Sequence, residues 1–250
     1  MSWSSHRKLV ILSVIGAVLI AVIALAVVAT VYEVPSCADN TQNQDETGID
    51  CGGSCALLCS ADQKDLDPVF TRQLSAPNGR TDVIAYVANP NPNAFAKDVP
   101  YRITLYGKDN IIVSSKTGKM DVPPSTIVPV FVPGFYSGFQ EVARAFLSFE
   151  GDVEWYRDDV ERPKLSIADV QLDESETPRL TASISNPTAK PLYRVPVVAT
   201  LFDAGGNAIA ASATVVDVIP AQGSSALIFT WNAAFPAPVA KTEIIPILGL

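Results

Sequence analysis

The residues best suited to covalent or metal chemistry are Cys37, Cys51, Cys55 and Cys59, all the cysteines of the chain, with the spacing C-x13-C-x3-C-x3-C. Zinc sites pair their ligands as C-x2-C or C-x4-C and need reduced thiolates. An even count behind an apolar leader points instead to an oxidising compartment and two disulfides. Four cysteines allow three pairings, which spacing does not rank. About 25 polar residues cannot bury a core of their own, so such a segment needs the staples.

Carboxylates are the second group. Asp39, Asn43, Glu46 and Asp50 carry the oxygen ligands that calcium takes, but not at the spacing of an EF-hand loop, and they read as solvated turn residues. Asp152, Glu154, Asp158 and Asp159 form the densest acidic cluster, and two-carboxylate hydrolysis is the one catalysis they would suit. The sole histidine, His6, precedes the apolar run, so histidine-based triads and histidine-ligated metals are excluded beyond it. No nucleophile can be paired with a base. The reading assigns no catalytic residue, no cofactor and no metal ligand, and expects a protein that is not an enzyme.

The elements that position these groups begin with Leu9 to Val31, an uncharged apolar run behind Arg7 and Lys8 and ahead of Glu33 and Asp39. It is long enough for a helix to cross a hydrocarbon core of about 30 Å. It is also longer than the apolar part of a cleaved signal peptide, the competing reading, which the small residues Ala26 and Ala29 keep open. The positive-inside tendency puts the amino terminus in the cytoplasm and the rest of the chain outside, as a single-pass protein of the cell membrane, with Trp3 and Tyr32 at the interfaces. The lipid bilayer is therefore the first expected partner, through residues 9–31. All 26 acidic residues follow the run while Arg7 and Lys8 precede it, so the outer part is more acidic than the formal −8 of the chain. Nucleic acid is a poor partner for that surface.

The remainder repeats. Val83-Ile84-Ala85-Tyr86-Val87-Ala88-Asn89-Pro90 returns as Leu180-Thr181-Ala182-Ser183-Ile184-Ser185-Asn186-Pro187, and Val99-Pro100 followed by Ile103-Thr104-Leu105-Tyr106 returns as Val195-Pro196 followed by Ala199-Thr200-Leu201-Phe202. Period-two alternation puts Val83, Ala85 and Val87 on one face and Leu180, Ala182 and Ile184 on the equivalent face. Turn signals at Asn89-Pro90-Asn91-Pro92, Pro123-Pro124, Asn186-Pro187 and Gly205-Gly206 separate the runs. The pattern predicts an all-β fold of two tandem immunoglobulin-like antiparallel β-sandwiches preceded by one transmembrane α-helix. The expected layout is a cytoplasmic tip 1–8, the helix 9–31, a cysteine-rich juxtamembrane segment 32–65, a first sandwich 66–153, a linker 154–162 and a second sandwich 163–250. Pro100 and Pro196 fall near expected strand starts, and Trp155 and Tyr156 either lie in the linker or pin the sandwiches together.

Three resemblances follow from these residues. The first copy, with Asn89-Pro90-Asn91-Pro92, Val99 to Leu105 and Val122-Pro123-Pro124, resembles the water-stress and hypersensitive-response (LEA14-like) β-sandwich. The second is similar to FxLYD-type sandwiches through Ser185-Asn186-Pro187, Val198 to Asp203, Gly206-Asn207 and Ile219 to Gly223, with Phe202 where that motif favours tyrosine. Cys37 to Cys55 resembles a small cysteine module of surface proteins, of the form C-x-D-G-x3-N-x2-E-x-G-x-D-C-G-G-x-C, with Asn40 in place of its glycine. The resemblances imply an extracytoplasmic accessory protein without an active site.

The functional expectation is a membrane-anchored extracytoplasmic protein that presents two sandwiches for binding a protein or glycan at the cell surface. The alternatives are a structural subunit of a cell-envelope assembly and, third, a carboxylate-dependent hydrolase. Phe135, Tyr136 and Phe139 are the candidate contact patch, and the matching stretch Trp231 to Phe235 raises the competing reading of a structural corner.

Overall fold

A computed structural model of the chain describes residues 3–31, 36–76, 79–136 and 140–249. The chain divides into two compact units, residues 1–55 and 56–250.

The first unit opens with helix α1 (Trp3–Val31). Its stretch Arg7–Val28 is long and apolar enough to cross a membrane, and the side chains from Leu9 to Val28 lie almost wholly exposed within the protein. A helix that is apolar all round has the length and composition to span hydrocarbon. Ser13 donates its hydroxyl to the carbonyl of Leu9 one turn back, so this polar group is satisfied inside the helix. Tyr32 and the side chain of Trp3, the expected interfacial aromatics, lie outside the described residues.

Residues 36–55 fold as a string of turns closed by a Cys37–Cys55 disulfide. Cys51 and Cys59 are also disulfide-bonded, leaving no free cysteine among the described residues. Within the loop, carboxylates cap backbone amides. Asp50 accepts from the N–H groups of Asp39 and Asn40, and Asp39 accepts from the N–H and hydroxyl of Thr41 and the amide of Asn43. Asn40 adopts φ 59°, the left-handed conformation that asparagine shares with glycine. Gly52 and Gly53 also have positive φ, and a Cβ on Gly53 would fall 2.1 Å from the carbonyl oxygen of Asp45, so the Gly-Gly pair is required by space as well as by conformation.

The second unit is all β. Its first sandwich contains β1 (Leu57–Leu58), β2 (Asp67–Ala76), β3 (Arg80–Ala88), β4 (Ala94–Tyr106), β5 (Ile112–Val122), β6 (Ile127–Tyr136), β7 (Arg144–Phe149) and β8 (Trp155–Arg157). One sheet has the order β2-β3-β6. The other runs β1-β8-β4-β5, with β7 also paired to β4. The second sandwich contains β9 (Ser166–Asp173), β10 (Arg179–Asn186), β11 (Leu192–Phe202), β12 (Ala208–Ile219), β13 (Gly223–Thr230) and β14 (Lys241–Pro246), in sheets β9-β10-β13 and β12-β11-β14. All pairings are antiparallel. Val83, Ala85 and Val87 meet Ile103, Leu105 and Leu147 in the first core, and Leu180 and Ile184 meet Val197, Ala199 and Leu201 in the second.

Three details depart from the pattern read in the sequence. Trp155 to Arg157, in the stretch expected to link the sandwiches, form strand β8, which pairs with Ala94–Ala96 and buries Trp155 in the first core. Leu57 and Leu58, in the expected juxtamembrane segment, extend the same sheet. Pro100 and Pro196 lie inside β4 and β11, not at strand starts. Pro100 follows the positive-φ residue Asp98 at a shift in the β4–β5 register, where a missing donor is tolerated, and Pro196 follows the positive-φ residue Arg194 in a β11–β12 pairing that keeps its register there.

Candidate functional site

Strands β3 and β11 are apolar on both faces. Ile84 and Tyr86 of β3, pointing away from the first core, pack with Leu74 against Val198 and Phe202 of β11 and Ala208 and Ala211 of β12. The outer face of sheet β2-β3-β6 is thus stacked on the outer face of sheet β12-β11-β14, and this third apolar cluster joins the sandwiches. Phe70 stacks on Tyr86 with ring centroids 4.7 Å apart, and Phe202 meets both rings edge-on at 6.4 Å. The hydroxyl of Tyr86 donates to Oε2 of Glu243 on β14 at 3.0 Å. Burial pushes the Tyr86 phenol well above its ordinary range. The hydroxyl of Thr200 opposes that shift, and the Glu243 carboxylate adds to it. Lys241 pairs with Glu243 and lies over the Phe202 ring.

The segment between the sandwiches is pinned to the first one. Asp158 donates its N–H to the carbonyl of Asn93 at 3.0 Å, and its carboxylate is buried against the guanidinium of Arg162. Arg162 also stacks over Phe95, 5.2 Å from the ring centroid.

Clefts open around the junction. One, of about 800 Å³, has walls from both sandwiches, including Tyr101, Val128, Phe131, Tyr193 and Ile247, and is lined by Arg162 as well. Burial raises the pKa of Tyr101, whose ring is covered by Gly118 on the neighbouring strand. A Cβ there would fall 2.4 Å from the Tyr101 hydroxyl. Tyr193 is 67% exposed beside its cross-strand partner Val218, and Val215 is exposed opposite Pro196, so apolar surface continues from this cleft along β12. A second cleft of about 740 Å³ is lined by Phe70, Ile127, Asp203, Lys241 and Ile245. These volumes lie within the range of small-molecule and peptide sites.

Of the residues singled out in the sequence, Cys37 and Cys55 are brought together by their disulfide, whereas the aromatic patch is divided. Phe135 is 0% exposed in the first core with Lys116 over its ring, whereas Tyr136 is 71% exposed. Phe139 lies outside the described residues. In the corresponding stretch of the second sandwich, Trp231 and Phe235 pack edge-on at 5.2 Å against the core, and the Trp231 indole N–H donates to the carbonyl of Ala211. The acidic cluster is likewise divided. Asp158 is held by Arg162, and Glu154 accepts from the Tyr156 hydroxyl, which raises the Tyr156 pKa. Among the described residues, Cys37, Glu46 and Cys55 group closely enough to suggest a metal, but both sulfurs are bonded to each other and only Glu46 could act as a ligand.

Neither a protein-family model nor a curated protein matches the chain. Among solved structures, the crystal structure of red sea bream transglutaminase is similar over 75% of this chain, at 11% identity and a TM-score of 0.25. The match spans 31% of that chain, a likeness too slight to bear on fold or function.

Proposed function

We propose that the protein is a single-pass, membrane-anchored extracytoplasmic binding protein whose partner, a protein or glycan at the cell surface, seats in the large cleft between the two sandwiches. The observation that carries this reading is the cleft itself, walled by both sandwiches and lined in part by the pinned Arg162. Helix α1 and the oxidised cysteines support an anchor with the bulk of the chain in an oxidising compartment. In this reading the sandwiches are relatives of the water-stress and FxLYD types, arranged as a tandem repeat.

The second reading, a subunit that assembles by strand addition at an open sheet edge, has less support. On the edge strand β12, Trp231 Nε1 donates to Ala211 O and Ser225 Oγ to Val218 O at 2.7 Å, so side chains of the same domain already take two edge carbonyls. A carboxylate-dependent hydrolase, the third reading, has Glu154 and Asp158 of its acidic cluster engaged in structural contacts.

The test is photo-crosslinking in intact cells, with the cross-linking residue at Tyr193 beside the cleft or at Tyr136 away from it. Adducts at Tyr193 alone are expected. Adducts at Tyr136 alone would move the binding surface to that loop, and protection of residues 56–250 from added protease would overturn the orientation.

A further inference from the structure

We propose that the two sandwiches unfold as one cooperative unit, joined through the outer faces of β3 and β11. The inference stands apart from the binding function, since it rests on the junction alone. Interfaces between domains of one chain are usually polar, and relative motion is the default unless the contact is large and hydrophobic. Here the contact consists of Leu74, Ile84, Tyr86, Val198 and Phe202 with the small Ala208 and Ala211, all buried. Phe70, Phe131 and Ile245 flank them. Separating the sandwiches would bare a contiguous apolar face on each, which soluble domains seldom tolerate.

The tether has no slack to absorb a separation. Residues 158–162 are fixed to the first sandwich by the Asp158 and Arg162 contacts, and Leu165 already packs into the second core. Only Pro163 and Lys164 stand between these anchor points. Moreover, β3 and β11 each belong to a core and to the junction, so loss of either core removes one wall of the junction. Destabilisation in one sandwich is thereby passed to the other, as in a single foldon.

Native-state hydrogen exchange on the full chain in detergent micelles tests this. Leu227→Ala lies in the second core and is not a junction residue. In this variant the most protected amides of β3 and β4, in the other sandwich, are expected to exchange at least tenfold faster. Outright unfolding of the second sandwich with simultaneous loss of protection in β3 and β4 also supports coupling. Acceleration or unfolding confined to residues 163–249 overturns the proposal. Adding Val198→Asp, which places a charge in the junction, is expected to confine the effect of Leu227→Ala to the second sandwich. Unchanged transmission in that double variant would overturn the assignment of coupling to this contact.

Discussion

Asn186 repeats in the second sandwich the hydrogen-bond set that Asn89 makes in the first. The Asn89 side-chain amide donates to the carbonyls of Ala94, Val122 and Pro123, and its Oδ1 accepts from the N–H of Asn91. The Asn186 amide donates to the carbonyls of Lys190, Ile219 and Pro220, and its Oδ1 accepts from the N–H of Thr188. Each buried asparagine thus ties a strand end to the loops that cross between the two sheets. Replacing Asn89 by leucine leaves three carbonyls without that donor and should destabilise the protein by about 2 kcal/mol or more. Denaturant unfolding monitored by tryptophan fluorescence would measure it, and a loss under about 0.5 kcal/mol would show that water substitutes for the side chain.

Leu105 and Leu201, at corresponding places in β4 and β11, are both fully buried. Truncation of either to alanine should cost about 2 to 5 kcal/mol. The larger part of that range is expected at Leu201, because β11 is covered on both faces and can relax less. Thermal denaturation of the two variants side by side checks the order.

The Asp39 carboxyl is held down at about 2, first by the hydroxyl of Thr41 and then by the amide of Asn43. A depressed carboxyl stabilises its fold above the unfolded pKa near 3.8, and that stabilisation is lost as the pH falls toward about 2. The cysteine segment should therefore keep its turns at pH 5 and lose their carboxylate support between about pH 4 and 2. Thr41→Val should raise the Asp39 pKa, and carboxyl carbon shifts followed by NMR would read it directly.

Non-reducing peptide mapping should recover Cys37 linked to Cys55 and find no free thiol. Reduction is expected to disorder residues 36–55 and to leave the sandwich cores intact, since neither contains a cysteine. Loss of the strand circular dichroism on reduction alone would contradict this.

The inner faces of the sandwiches were legible in the sequence because Val83, Ala85 and Val87 alternate with period two, as do Leu180, Ala182 and Ile184. The junction was not, although its trace is present. Val83 to Ala88 and Val195 to Phe202 run almost without a polar residue, the mark of a strand covered on both faces. Alternation assigns only one face to a core and leaves Ile84, Tyr86, Val198 and Phe202 as nominally outward residues. Strand β8 was obscured by its charged neighbours Glu154, Asp158 and Asp159, whose partners, among them Tyr156 and Arg162, become evident only in three dimensions. The cleft could not be read at all, because its walls come from segments as distant as Tyr101 and Ile247. The aromatic patch at Phe135 and Tyr136 divides because successive strand residues point to opposite faces.

The double burial of β3 also sets a problem of timing. A ribosome finishes Phe131, which completes the outward face of the first sandwich, well before it has made Phe202 or Ile245, which cover that face. At ordinary elongation rates the gap is on the order of ten seconds. During that interval the newborn first sandwich carries Leu74, Ile84 and Tyr86 bare to its surroundings, and a chaperone that binds exposed apolar strands would find its window there.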